Sequence, residues 1–73
     1  MLPAARCLLY LGCAALQQGE YGQAEAYLRN GLAAAREIAH HDLVSRLLNV
    51  LHTVALKQGD PEKAAAYARE GRE

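Results

Sequence analysis

The side chains able to do chemistry are few, and their spacing decides what that chemistry is. They are three histidines, two cysteines and two carboxylate pairs, Glu20 with Glu25 and Glu37 with Asp42. A zinc site is built from close pairs such as C-x₂-C and H-x₃₋₅-H. Cys7 and Cys13 are six positions apart, and His40 and His41 are adjacent, so their rings point in different directions. No metal centre is expected. His52 has no nucleophile or carboxylate beside it to make it a general base. Neither cysteine has a Lys or His next to it to lower its thiol pKa, so both read as small hydrophobes. The glycines lack the G-x-x-x-x-G-K spacing of a phosphate cradle, and the carboxylates stand where solvated or helix-capping groups belong. Without a base–nucleophile pair the chain reads as non-enzymatic, with no catalytic residue, no metal and no cofactor.

Composition narrows what must position these residues. Seventy-three residues hold one small domain. Fifteen Ala and twelve Leu with no Phe and no Trp are helix-forming stock, while the β-branched and aromatic residues of a pleated surface are scarce. An all-α fold is expected. Eight basic residues balance eight acidic ones and are spread along the chain. No cationic stripe forms for direct nucleic-acid binding. Two cysteines do not make a disulfide framework, which suits a reducing, cytoplasmic compartment. The stretch from Met1 to Leu16, ending Gly12-Cys13-Ala14-Ala15-Leu16, has the outline of a lipoprotein signal that would anchor Cys13. Its apolar run after Arg6 is short, however, and Tyr10-Leu11 replaces the small residues such a cleavage needs. A buried amphipathic helix is the expected reading, and no run approaches the ~18 apolar residues of a membrane span.

Displacing the chain by 40 positions reveals a repeat. Arg6, Leu8, Leu11, Ala15, Leu16, Gln18, Gly19, Ala24, Ala26, Tyr27, Arg29 and Gly31 fall on Arg46, Leu48, Leu51, Ala55, Leu56, Gln58, Gly59, Ala64, Ala66, Tyr67, Arg69 and Gly71, twelve identities in 33 positions. Each unit reads as two helices. Leu8, Leu9, Leu11, Ala15 and Leu16 make an amphipathic stripe, matched by Leu43, Leu47, Leu48, Leu51, Val54 and Ala55. Pro3 suits a first turn, Gly19 and Gly59 suit a left-handed helix end, and Asp60-Pro61-Glu62 suits a helix start. The second helix is expected to run to about Ala39, the third to begin at Leu43 behind an Asp42 cap, and the fourth to fray after Glu70. Repeat one then covers about 4–39 and repeat two about 43–71, within one domain of 1–73.

These residues resemble the tetratricopeptide repeat family. Leu8, Leu11 and Gly12 meet its large-xx-large-small pattern, followed by Ala15, the Gly19-Glu20-Tyr21 turn, Ala24, Leu28 and Gly31. Unit two departs at His52 for Gly12, Pro61 for Tyr21 and Ala68 for Leu28. The resemblance implies antiparallel helix pairs, four helices in all, stacked as a short right-handed solenoid. The 40-residue period exceeds the family's usual 34, and this elongated form is similar to arrays in bacterial LuxR-type and signalling-ATPase regulators, where they are sensor arms.

In the resembled family the first helices of successive repeats line a concave groove. The groove positions fall here on Arg6, Leu9, Tyr10, Cys13 and Gln17, and on Arg46, Asn49, Val50, Thr53 and Lys57. A protein or peptide partner is implied there, with Arg6 and Arg46 able to fork onto a carboxylate. The other reading is a structural spacer or self-association unit. Two repeats bury less than about three do, so partial exposure is expected of Leu2, Leu9, Tyr10 and the Tyr67 region. Stacking on further repeats of a longer array, or a homodimer, would cover them.

Overall fold

The computed structural model describes residues 4–72, and four helices account for nearly all of them: α1 (Ala4–Gln17), α2 (Tyr21–Glu37), α3 (His41–Lys57) and α4 (Pro61–Arg72). Among the described residues there is no strand. Leu2, Pro3 and Glu73, on which some expectations rested, lie outside them.

Each of the first three helices closes in the same way. At α1 the Glu20 N–H reaches the Ala15 carbonyl (2.9 Å) and the Gly19 N–H the Leu16 carbonyl (3.0 Å), with Gly19 at φ +81°. At α3 the Asp60 N–H reaches Ala55 (2.9 Å) and the Gly59 N–H reaches Leu56 (3.1 Å), with Gly59 at φ +76°. This pair of hydrogen bonds satisfies carbonyls that the helix end would otherwise orphan, and it requires a left-handed residue, as expected of both glycines. α2 closes identically, through His40 to Ala35 (3.0 Å) and Ala39 to Arg36 (3.1 Å), but the left-handed residue is Ala39 at φ +53°. α2 therefore stops at Glu37 rather than continuing to Ala39. An alanine there carries a Cβ penalty of about 1 kcal/mol that glycine does not. Ala39→Gly should raise the urea midpoint by the equivalent of about 0.5–1 kcal/mol after its extra unfolded-state entropy is subtracted.

α3 starts at His41, two residues before the expected Leu43, and its cap is not Asp42. The Nδ1 of His40 accepts the Leu43 N–H at 3.2 Å, which leaves Asp42 in the first turn, favourable to the helix dipole. α4 begins as read: Asp60 Oδ1 accepts the Lys63 N–H at 3.1 Å and Pro61 fills the first position. It then continues to Arg72, past the expected fraying point.

Consecutive helices pack, α1 on α2, α2 on α3 and α3 on α4, with α1 also meeting α3. Two antiparallel pairs therefore stack so that the first helices are neighbours. Leu28, Leu47, Leu51 and Val54 are the largest fully buried side chains, surrounded by Leu9, Leu32, Leu43 and Leu48 and by the alanines 5, 15, 24 and 35. Small residues set the helix separations. A Cβ on Gly12 would stand 2.5 Å from Leu28 Cγ, and one on Gly31 would stand 3.1 Å from both Leu47 Cδ2 and Leu8 Cβ. Gly12 thus brings α1 against α2, and Gly31 brings α3 onto that pair. The radius of gyration, 11.3 Å, is about that of a compact chain of this length.

Candidate groove and its basic cleft

Helical spacing puts Arg6, Tyr10, Cys13 and Gln17 on one face of α1, and Arg46, Val50, Thr53 and Lys57 on the matching face of α3. Because α1 and α3 are neighbours, the two stripes run side by side. Most of these residues are available to a partner. Arg6, Gln17, Arg46, Asn49, Thr53 and Lys57 are exposed, Tyr10 keeps 63% of its surface, and Cys13 and Val50 are half-buried. Leu9 is the exception. At 7% exposure it belongs to the core, because α3 covers the side of α1 on which a lone repeat would leave it open. Thr53 spends its hydroxyl hydrogen on the Asn49 carbonyl, 3.3 Å away on its own helix, so it offers a partner an acceptor only.

The stripes converge at one end on a cleft of about 220 Å³ between the two first helices. Arg6 and Tyr10 come from α1 and Arg46 from α3, over a floor of Leu9 and Leu43, with His40 and Asp42 contributed by the connection that starts α3. Of the ten expected groove residues the cleft gathers Arg6, Leu9, Tyr10 and Arg46, and the other six lie along the groove beyond it. Sequence pattern assigns His40 no place in the groove and Asp42 only a helix cap. Their adjacency to the groove depends on the α2–α3 corner reaching Arg6, which no local pattern announces. Neither arginine forms an ion pair among the described residues, and two guanidinium groups against one carboxylate leave the cleft positive. His40 must keep its Nδ1 unprotonated to accept the Leu43 N–H, which places the neutral ring's hydrogen on Nε2.

The opposite side, where side chains of α4 reach across to α2, is tied internally. Arg36 donates to Glu70 at 2.9 Å across a cavity of about 400 Å³ that also touches His41, Val44 and Leu48. Glu25 accepts from the Lys63 ammonium at 2.8 Å and from the Tyr67 hydroxyl at 3.3 Å. Glu25 is therefore a clasp between the pairs rather than a solvated acid, and Tyr67 is half-buried against the core. The hydrogen bond to Glu25 raises the Lys63 pKa above its ordinary 10.5. Burial, reinforced by the Glu25 charge, raises Tyr67 above 10.0. Folded values above unfolded ones stabilise the fold below about pH 10, and that stability is lost as pH rises through the raised values. Melting temperature should fall from pH 9 to 11, and fall less steeply in Glu25→Gln; parallel curves for the two proteins would remove the clasp from the account.

His52, half-buried, donates from Nδ1 to the Ala64 carbonyl at 2.8 Å, which fixes its tautomer and ties α3 to α4. Cys7 and Cys13 are free thiols, exposed and half-buried respectively. Among the described residues no three His, Cys, Asp or Glu side chains cluster as a metal site would, and no helix is long and apolar enough to cross a membrane.

A family model described as tetratricopeptide repeat matches residues 3–73. No curated protein and no solved structure matches the chain.

Proposed function

Because that match spans nearly the whole chain, which therefore belongs to the tetratricopeptide repeat family, we propose that its groove is the working surface and that it binds an extended acidic segment of a protein partner. Repeats of this family are in general protein-interaction modules without catalysis of their own. The observation that carries the finer reading is the cleft: two arginines with no ion-pair partner among the described residues and a Tyr side chain around an apolar floor, with Asp42 the single carboxylate beside them. Guanidinium forks match a carboxylate in shape and charge. Gln17, Asn49 and Lys57 further along supply donors for peptide carbonyls. In this reading the chain is a non-enzymatic sensor or regulatory arm of a bacterial signalling protein, in keeping with its elongated 40-residue period. Its unpaired thiols suit a cytoplasmic setting.

The test is selection of fluorescent hexapeptides bearing an acidic C-terminal residue from a panel that includes amidated and neutral counterparts. The acidic, free-carboxylate members should bind and weaken with salt. Arg46→Glu should cost about tenfold or more in affinity at unchanged helicity, the scale of a lost charged hydrogen bond. Equal binding by Arg46→Glu and the parent chain, or no preference for acidic peptides, would refute the reading.

A further inference from the structure

At each of the three corners the residue after the left-handed position precedes a helix, and the three residues differ in what they do there. Glu20 makes no side-chain cap on α2, Asp60 caps α4 through its carboxylate, and His40 caps α3 through Nδ1. The preferred cap residues are Asn, Asp, Ser and Thr, so capping alone gives no reason for a histidine at position 40. A local preference overridden in this way is expected where a residue has a second task. What the imidazole adds is a second nitrogen. Holding the Leu43 N–H on Nδ1 leaves the hydrogen of the neutral ring on Nε2. The two nitrogens face away from one another across the ring, so the Nε2–H is carried outward from the first turn of α3.

His40 shares its cleft with Arg6 and Tyr10 from α1 and with Asp42 and Arg46 from α3. The guanidinium groups supply charge, but each stands at the end of a long side chain whose rotamer freedom must be given up on binding. The His40 ring is half-buried and already held at one nitrogen, so it has little freedom left to lose when a partner arrives. An aspartate in its place, as at position 60, would set a second carboxylate beside Asp42 and cancel the positive charge that the two arginines leave.

We infer that His40 is a partner-contacting residue of the cleft, donating its Nε2–H to the carboxylate that Arg6 and Arg46 attract while its Nδ1 continues to cap α3. This assignment rests on the proposed reading of the cleft as a site for an acidic segment. Fluorescence anisotropy of an acidic, free-carboxylate hexapeptide and of its amidated, neutral counterpart, titrated with the 73-residue chain, tests it. Serine ranks with asparagine as a cap, so His40→Ser keeps the start of α3 and removes the donor, whereas His40→Ala removes both. His40→Ser should melt in urea close to the parent and bind the acidic peptide about fivefold or more weakly, the scale of a lost hydrogen bond to a charged group, with little change for the neutral peptide. His40→Ala should lose stability as well. His41 lines the cavity on the opposite side, and His41→Ser should bind as the parent does. Undiminished binding of the acidic peptide by His40→Ser, while Arg46→Glu still loses it, would overturn the assignment and leave the groove reading standing. Equal losses for the two peptides would also overturn it, by making His40 a shaper of the cleft rather than a donor to the carboxylate. A parent chain with no preference for the acidic peptide would remove the groove reading and this assignment with it.

Discussion

Leu51→Asp should abolish the helical circular dichroism of this chain at 25 °C, whereas Leu11→Asp, the same exchange at the equivalent position one repeat earlier, should leave it nearly intact. Leu51 retains none of its surface, while Leu11 retains 48%. Placing a carboxylate at the first position costs several kcal/mol, because no cation or hydrogen-bond donor of the core is there to receive it. Chains of this length seldom hold more than about 3–5 kcal/mol of stability from one core, so that penalty alone consumes the margin. At position 11 the carboxylate stays in water, and the change is of the order of ±0.5 kcal/mol expected at a surface. Far-ultraviolet spectra and urea melts of the two variants at low micromolar concentration check both halves. A cooperative melt from Leu51→Asp within about 1 kcal/mol of the parent would mean that α3 is not seated on the first pair as described.

The contrast between these two leucines shows why some of the fold is legible in the sequence and some is not. Features fixed by one residue's own conformational preference read directly. Gly19 and Gly59 take the left-handed helix end because they have no Cβ, and Asp60-Pro61 starts a helix because of its carboxylate and fixed φ. Features fixed by what comes to lie next to a residue do not. Leu9 and Leu11 are both apolar and two positions apart, and only the arrival of α3 on one side of α1 makes the first core and leaves the second as surface. Glu25 looks like an exposed acid until α4 brings Lys63 and Tyr67 to it from 38 and 42 residues away. Ala39 is read as helix because alanine favours helix, yet the closing hydrogen bonds from Ala39 and His40 force it left-handed. Residue preference favours Asp42 as the cap on α3, but the chain turns early enough for the His40 ring to reach Leu43 first. Of the groove, the positions of the stripe come from the family resemblance. The cleft was not legible, because His40 and Asp42 enter it through the corner between the pairs.

Gly12 and Leu28 should be energetically coupled, a double-mutant cycle recovering more than about 1 kcal/mol between them. A Cβ built on Gly12 falls 2.5 Å from Leu28 Cγ and 2.6 Å from its Cδ2, distances at which atoms must move. Leu28 is fully buried and has nowhere to swing. Alanine is the better helix former by about 1 kcal/mol, but overpacking of this kind costs about 1–3 kcal/mol. Gly12→Ala therefore destabilises despite its propensity. Leu28→Ala opens a cavity and costs about 2–5 kcal/mol by itself. In the double variant the new methyl enters the space that Leu28 vacates, so the two losses do not add. The second repeat has already made this exchange in a larger form. His52 stands for Gly12 and Ala68 for Leu28, so the bulk between the paired helices comes from α3 instead of α4, and the ring secures itself on the Ala64 carbonyl. Urea melts in sucrose, which keeps the weakened members folded, give the four free energies. Losses that add within about 0.5 kcal/mol, the behaviour of independent sites, would mean that the Gly12–Leu28 contact does not set the spacing of the first pair. Coupling of the expected size makes the size exchange between positions 12 and 28 the reason two repeats with only twelve identities in 33 positions build the same helix pair.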